Sequence, residues 1–121
     1  MSDCSTGRLA FSRAMRLKHG RDFSRLRRDG RRASRGAMVA NWVELPPGSV
    51  PRLGLIATKT LGSAVIRNRA RRLLRETFRL HQRELRVPVD LVLVARHSIS
   101  RMKLAQVERD FLTIMRQAGM L

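Results

Sequence analysis

Acidic side chains are scarce in this 121-residue chain: 9 Asp and Glu stand against 26 Lys and Arg, leaving a formal net charge of +17. A compact state so charged repels itself, and a polyanion relieves that repulsion, so an acidic polymer is the expected partner. Lysine is scarce too. Only Lys18, Lys59 and Lys103 are ammonium groups, and the other 23 cations are Arg, whose planar fork grips phosphate bidentately and stacks on bases. Biased codon composition is the other source of such an excess. Cys4 is the lone cysteine, which excludes an internal disulfide framework and a multi-Cys zinc site and fits a reducing compartment. Long apolar runs are missing: the first thirty residues hold no signal-like stretch, and Leu91 to Ala95 is far short of a membrane span. These absences describe a soluble, cytoplasmic chain with no membrane partner. With 43% apolar residues and a length suited to about one domain, the interior is ordinary and the surface is not.

Residues 1–12 are small and polar and read as a flexible tail, which leaves 13–121 as a single domain. Phe23 and Leu26, three apart, with Asp22 near the start and Gly30 just after, predict a short helix from Gly20 to Arg28. A basic run, Arg31 to Arg35, leads into Ala37 to Glu44, which has strand composition and stops at the turn signal Pro46-Pro47-Gly48. Arg52 to Thr58 reads as a second strand, expected to pair with the first as an antiparallel hairpin across that loop. From Val65 to Leu85 the residues Ile66, Ala70, Leu73, Leu74, Thr77, Phe78 and His81 recur at helical spacing, with Arg71, Arg72, Arg75, Arg79 and Arg83 on the opposite side. Pro88 closes this helix, and Val89 to Ala95 reads as a buried strand. Ser100 is the expected cap of a last helix that turns Leu104, Val107, Phe111, Ile114 or Met115, and Ala118 to the core. The order helix, strand, strand, helix, strand, helix predicts an α+β fold with helices packed on a small sheet.

The densest feature is Arg67 to Arg79, where one carboxylate, Glu76, sits among six guanidinium groups. A charge run is usually a solvated face, but this imbalance is too large for mutual salt bridges, and repulsion along the helix calls for an outside counter-charge. Asn68 adds a short donor and acceptor beside two forks, suited to a backbone or a 2′-hydroxyl, or serves simply as a polar first-turn residue. Catalytic readings are thinner. His19, His81 and His97 are the only imidazoles for acid–base chemistry. His81 falls on the apolar stripe, where a satisfied boundary histidine is the plainer reading, and the other two read as loop residues. The acids are scattered, and Glu108 and Asp110 point to different sides of a helix, so no protein metal site is expected. Gly54 to Thr60 lacks the Gly that a phosphate loop needs directly before its Lys, since Thr58 stands there.

From Arg52 through Lys59 to Gly62-Ser63-Ala64-Val65-Ile66-Arg67-Asn68-Arg69 and on to Glu76, the chain resembles the signature of the bacterial ribonuclease P protein subunit family. That signature is a strand ending near Lys, then Gly-x-Ala-Val-x-Arg-Asn-Arg, then a basic helix. The likeness extends more weakly through Arg16-Leu17, Asp22-Phe23 and Gly30 upstream and through Leu91 to Arg96 downstream. It implies that an RNA partner, ribonuclease P RNA, performs the hydrolysis that removes the 5′ leader from precursor tRNA. Mg2+ is then held mainly by that RNA, and the polypeptide contributes no catalytic residue and no bound cofactor. The implied fold is a small α/β sandwich, ordered α-β-β-(β)-α-β-α, of the kind found in a ribosomal protein domain; its β-α-β crossover is left-handed, against the general rule. Lys59, Arg67, Asn68, Arg69, Arg71, Arg72 and Arg75 become the RNA-subunit contacts, and Phe23, Arg27 and Asn41 line a cleft for the leader. Phe23 can stack on a base there or simply anchor a short helix. Thr60 stands where a second Lys is usual, Arg27 and Asn41 where relatives often carry aromatics, and Tyr is absent altogether. Arg27 can replace an aromatic by lying flat on a base, or contact phosphate only.

The expected function is that of an accessory subunit, one monomer per RNA, that raises substrate affinity and screens RNA–RNA repulsion. Charge alone supports a general RNA-binding or ribosome-assembly protein equally well, and only the motif separates the two. An autonomous ribonuclease using His81 is the remaining rival.

Overall fold

The computed structural model describes residues 20–121, with side chains from Ser24 onward. The expectations for residues 1–12, for Arg16-Leu17 and for His19 lie outside the described residues, as does the side chain of Phe23. Among the described residues the order is helix α1 (Gly20–Asp29), strands β1 (Arg31–Arg35), β2 (Met38–Glu44) and β3 (Arg52–Ile56), helix α2 (Ala64–His81), strand β4 (Val89–Ala95) and helix α3 (Leu104–Gln117). Short 3-10 turns occupy 59–61, 82–84 and 97–101. The sheet runs β1-β2-β4-β3 and is antiparallel except for β3 and β4, which lie parallel and are joined through α2. This is the small mixed sheet of the expected α+β class, with its third strand ahead of the basic helix.

The expected hairpin between β2 and β3 does not form. β4 lies between them, because Val89 to Leu93 are buried without interruption, and a strand covered on both faces takes the middle of a sheet. The hairpin instead joins β1 to β2. β1 is the basic run Arg31–Arg35, an edge strand in which only Ala33 is half-buried, so it carries none of the apolar alternation that betrays a strand; charge on an edge also blocks unwanted pairing. The turn depends on Gly36, whose φ of 47° suits a two-residue hairpin loop and disfavours a side chain. A Cβ there would collide with the Asp110 carboxylate, which accepts the Ala37 N–H at 2.9 Å and so ties α3 to the hairpin.

Alternation along the strands divides the sheet into two unequal faces. Met38, Ala40 and Trp42 of β2 with Leu91 and Leu93 of β4 meet Ala70, Leu74 and Phe78 of α2 and Val107, Phe111, Ile114 and Met115 of α3 in the main core. On the opposite face, among the described residues, Leu26 of α1 packs on Val92, flanked by Val43, Ile56 and Val94. Among the described side chains Leu26 is the apolar contact that α1 makes here, and burying one leucine contributes roughly 2 kcal/mol.

Three local expectations are corrected. Ile66 belongs to the exposed first turn of α2 with Val65, not to the core, because burial on this helix begins at Ala70. The helix stops at His81 instead of Leu85, where residues 82–84 tighten into a 3-10 turn and the 3.6-residue stripe loses its register. Ser100 does not cap the last helix. Its hydroxyl donates to His97 O within the preceding 3-10 turn, and α3 starts after Lys103, whose N–H is taken by the Gln106 side chain at 2.9 Å.

Candidate nucleic-acid interface

The first charged surface is the outer face of α2. Ser63 caps it by accepting the Ile66 N–H at 3.4 Å, and Lys59 stands exposed in the 3-10 turn just before. Asn68 and Arg72 are exposed, while Arg67, Arg69, Arg71 and Arg75 are half-buried. Arg69 sends Nη2 to Met102 O at 2.6 Å and Nη1 to Ile99 O at 3.4 Å. Arg71 donates to Asn68 Oδ1 at 3.0 Å and to Ala57 O at 3.4 Å. These partners are neutral carbonyls, so they hold the forks in place without cancelling their charge, and each guanidinium has five N–H donors to share. The Nε of Arg67 is buried with no hydrogen-bond partner.

Among the described ion pairs, Glu76 with Arg79 joins an acid to an arginine of α2 itself. Asp29 pairs with Arg28, Glu44 with Arg31, Glu76 with Arg79, Asp110 with Arg35, and Asp90 with Arg25 and Arg52, while Glu84 and Glu108 both go to His81. Each described carboxylate is thus engaged by another side chain, and among the described residues no group of three or more His, Cys, Asp and Glu is arranged to hold a metal ion.

The second surface is a groove between α1 and this second sheet face. It encloses about 200 Å³ and is lined by Leu26 and Arg27 of α1, Arg32 of β1, Val39 and Asn41 of β2, Ile56 of β3, and Val92 and Val94 of β4. Its floor is aliphatic and its rim cationic. Two residues expected to line a cleft, Arg27 and Asn41, come together here; Phe23 lies on α1, and its side chain is outside the described residues. The Oδ1 of Asn41 is buried and unpartnered, an arrangement that is costly unless a ligand supplies a donor. Arg32 and the aliphatic floor were not legible beforehand. Arg32 faces Asn41 across the β1–β2 ladder, so recognising β1 as a strand would have found it.

Where α1 meets the sheet, Arg25 and Arg52 converge on Asp90, whose side chain is 1% exposed. Burial alone would raise this carboxyl's pKa, but hydrogen bonds from Arg52 and Arg25 outweigh it and hold the group below the ordinary carboxylate value. His81 has the opposite sign. Burial disfavours its cation, yet Nε2 lies 2.7 Å from Glu108 and Nδ1 2.8 Å from Glu84, and the two carboxylates raise its pKa. Both ring nitrogens are occupied and the ring lies beside Phe111. His81 therefore bridges α2 to α3 and has no free lone pair to offer as a general base. His97 is exposed in its 3-10 turn. Glu108 and Asp110, as expected, serve different partners.

A cationic helix on one side of a small mixed sheet, and a cation-rimmed groove on the other, define an α+β protein built to bind a polyanion. The ribonuclease P family model matches residues 11–119. The chain is 34% identical over 105 residues to the ribonuclease P protein component of Syntrophomonas wolfei subsp. wolfei, covering 87% of each chain. It is 37% identical over 90 residues to that of Desulfatibacillum aliphaticivorans, covering 74% of this chain and 75% of the relative. Among solved structures it is similar to the RNase P protein of Staphylococcus aureus, with 27% identity, TM-score 0.78 and coverage of 89% and 98%. It is also similar to that of Thermotoga maritima, with 25% identity, TM-score 0.73 and coverage of 84% and 96%. The chain belongs to the ribonuclease P protein family.

Proposed function

We propose that this chain is the protein subunit that works with ribonuclease P RNA to remove the 5′ leader from precursor tRNA, docking on the RNA through α2 and holding the leader in the groove under α1. The observation that carries this reading is the pairing of an arginine-rich helix face with a separate groove on the other sheet face, in a chain whose family match spans residues 11–119. Lys59, Arg67, Asn68, Arg69, Arg71, Arg72 and Arg75 serve the RNA subunit. Arg27, Asn41 and Phe23, joined by Arg32, serve the leader.

The division of labour follows from chemistry. Phosphate contacts from guanidinium forks position an RNA without reading its sequence, and six such contacts supply large, salt-sensitive affinity. The groove is suited to one or two unstacked nucleotides: aliphatic side chains meet the bases, and the rim cations meet the backbone. Mg2+ is assigned to the RNA, and the described carboxylates serve cationic or imidazole side chains instead. The subunit acts as a monomer, one per RNA, in the cytoplasm.

The test is reconstitution. The purified chain, added to a bacterial ribonuclease P RNA and precursor tRNA at low Mg2+, should restore cleavage at the mature 5′ end. A basic RNA binder of equal charge should not. Failure to restore cleavage while RNA is still bound would return the chain to the class of general RNA-binding proteins.

A further inference from the structure

We propose that Asp90, gripped by Arg25 and Arg52, is a positioning residue that seats α1 on the sheet and so fixes the width of the groove; the proposal rests on the reading of that groove as the leader site. Asp90 lies on β4 and its carboxylate is almost wholly buried on the α1 side of the sheet. Arg52, its register partner on β3, donates Nε to Oδ1 at 2.9 Å and Nη2 to Oδ2 at 2.8 Å. That bidentate bond stays within the sheet. Arg25 Nη2 reaches the same Oδ2 at 2.6 Å from α1, and this bond crosses from helix to sheet.

The described apolar contact beneath α1 has no such direction. Leu26 against Val92 is attractive but non-directional, so it permits the helix to slide. A charge-assisted bond to a carboxylate already held by a second fork is directional and strong. Arg25 is followed directly by Leu26 and Arg27, both of which line the groove. Fixing Arg25 therefore fixes where Arg27 stands above Asn41 and Arg32. The rim of the binding site is set by a carboxylate that does not line it.

The test uses holoenzyme assembled from the full chain and ribonuclease P RNA, and compares affinity for precursor tRNA bearing a leader with affinity for the same tRNA lacking one. Asp90→Asn raises the net charge by one, so simple attraction predicts tighter leader binding. Loss of the seat predicts the reverse, a fall of about tenfold in the leader-dependent factor, the scale of effect expected when a binding group is misplaced by a fraction of an ångström. Arg25→Gln guards against a folding failure, because it keeps the Arg52–Asp90 pair. It should give the same fall, expressed in KM and not in kcat, with faster amide exchange confined to α1 and partial recovery in Arg25→Lys.

Full leader discrimination in both Asp90→Asn and Arg25→Gln would overturn the proposal. If Val39→Glu in the groove abolishes discrimination while Arg25→Gln retains it, the leader site stands and the seat alone is refuted. If the unmodified assembly shows no leader discrimination, the leader site falls, and the seat with it.

Discussion

Two neighbouring arginines of α2 should separate docking from folding. Arg72 is exposed, whereas Arg69 holds the carbonyls of Ile99 and Met102. If Lys59, Arg67, Arg69, Arg71, Arg72 and Arg75 each meet one phosphate, the affinity for ribonuclease P RNA should fall by roughly a thousandfold between 50 and 200 mM salt. Arg72→Ala removes one contact. The slope of log affinity against log salt should become shallower by about 0.9, and the melting temperature of the free protein should stay unchanged, since a solvated side chain is lost. Arg69→Ala should produce the same change in slope and also destabilise the free protein. It leaves two main-chain carbonyls without their charged donor, a loss of about 1.5 kcal/mol that corresponds to roughly 5 °C in a domain of this size. Filter binding across a salt series gives the first quantity and calorimetry the second. An unchanged slope in Arg72→Ala would remove α2 from the docking surface, and an unchanged melting temperature in Arg69→Ala would show that the carbonyl bonds contribute nothing.

Other consequences follow from single contacts. Gly36→Ala places a side chain at a φ of 47° and against Asp110, which should cost about 2 kcal/mol or more, read as a lower urea midpoint with unchanged m. Asn41→Leu removes a buried acceptor that has no partner; the free protein should become more stable by about 1 kcal/mol while leader-bearing substrate binds less tightly, and a loss in both would refute the assignment of Asn41 to the leader. His81, with its pKa raised above the usual 6.5, contributes stability that is complete below that unfolded-state value and is lost as pH rises through the folded-state value. His81→Gln should therefore flatten the decline in melting temperature above pH 6.5, and an unaltered profile would mean the two carboxylates do not hold its proton.

Much of the fold was legible because burial leaves a period in the sequence. The stripe Ala70, Leu74, Thr77 and Phe78 announced α2, and the unbroken run at Val89 announced a strand covered on both sides. The errors arose where that period carries no information. β1 has one half-buried residue in five, so a basic run hid an edge strand and, with it, Arg32. Pairing of β2 with β4 and of β4 with β3 depends on contacts between distant segments, and the Pro-Gly loop favoured the local pairing only on proximity. The candidate site divided in the same way. The cationic face of α2 could be read from spacing, but that Arg69 and Arg71 turn part of their forks to carbonyls could not, since main-chain acceptors leave no trace in side-chain identity. The carboxylate of Asp90 was invisible as well: one acid within a valine-rich strand gives no sign that two arginines, 65 and 38 positions away, will meet it.

The scarcity of acid and the stability of the fold are connected through placement. A chain at +17 gains little from scattered surface pairs, which contribute at most about 1 kcal/mol each. Several of its carboxylates instead tie separate elements of the fold together. Asp90 joins α1 to β4 and β3, Asp110 joins α3 to the β1–β2 turn, and Glu108 joins α3 to α2 through His81. Acids used as junctions are unavailable to screen the outer face of α2 or the rim of the groove, so the same few side chains that hold the scaffold together leave positive charge on both candidate surfaces. Added negative charge on either surface would weaken RNA binding, whereas loss of a junction acid would raise the net charge and still weaken function. That opposition of sign distinguishes a carboxylate that shapes this protein from one that merely dilutes its charge.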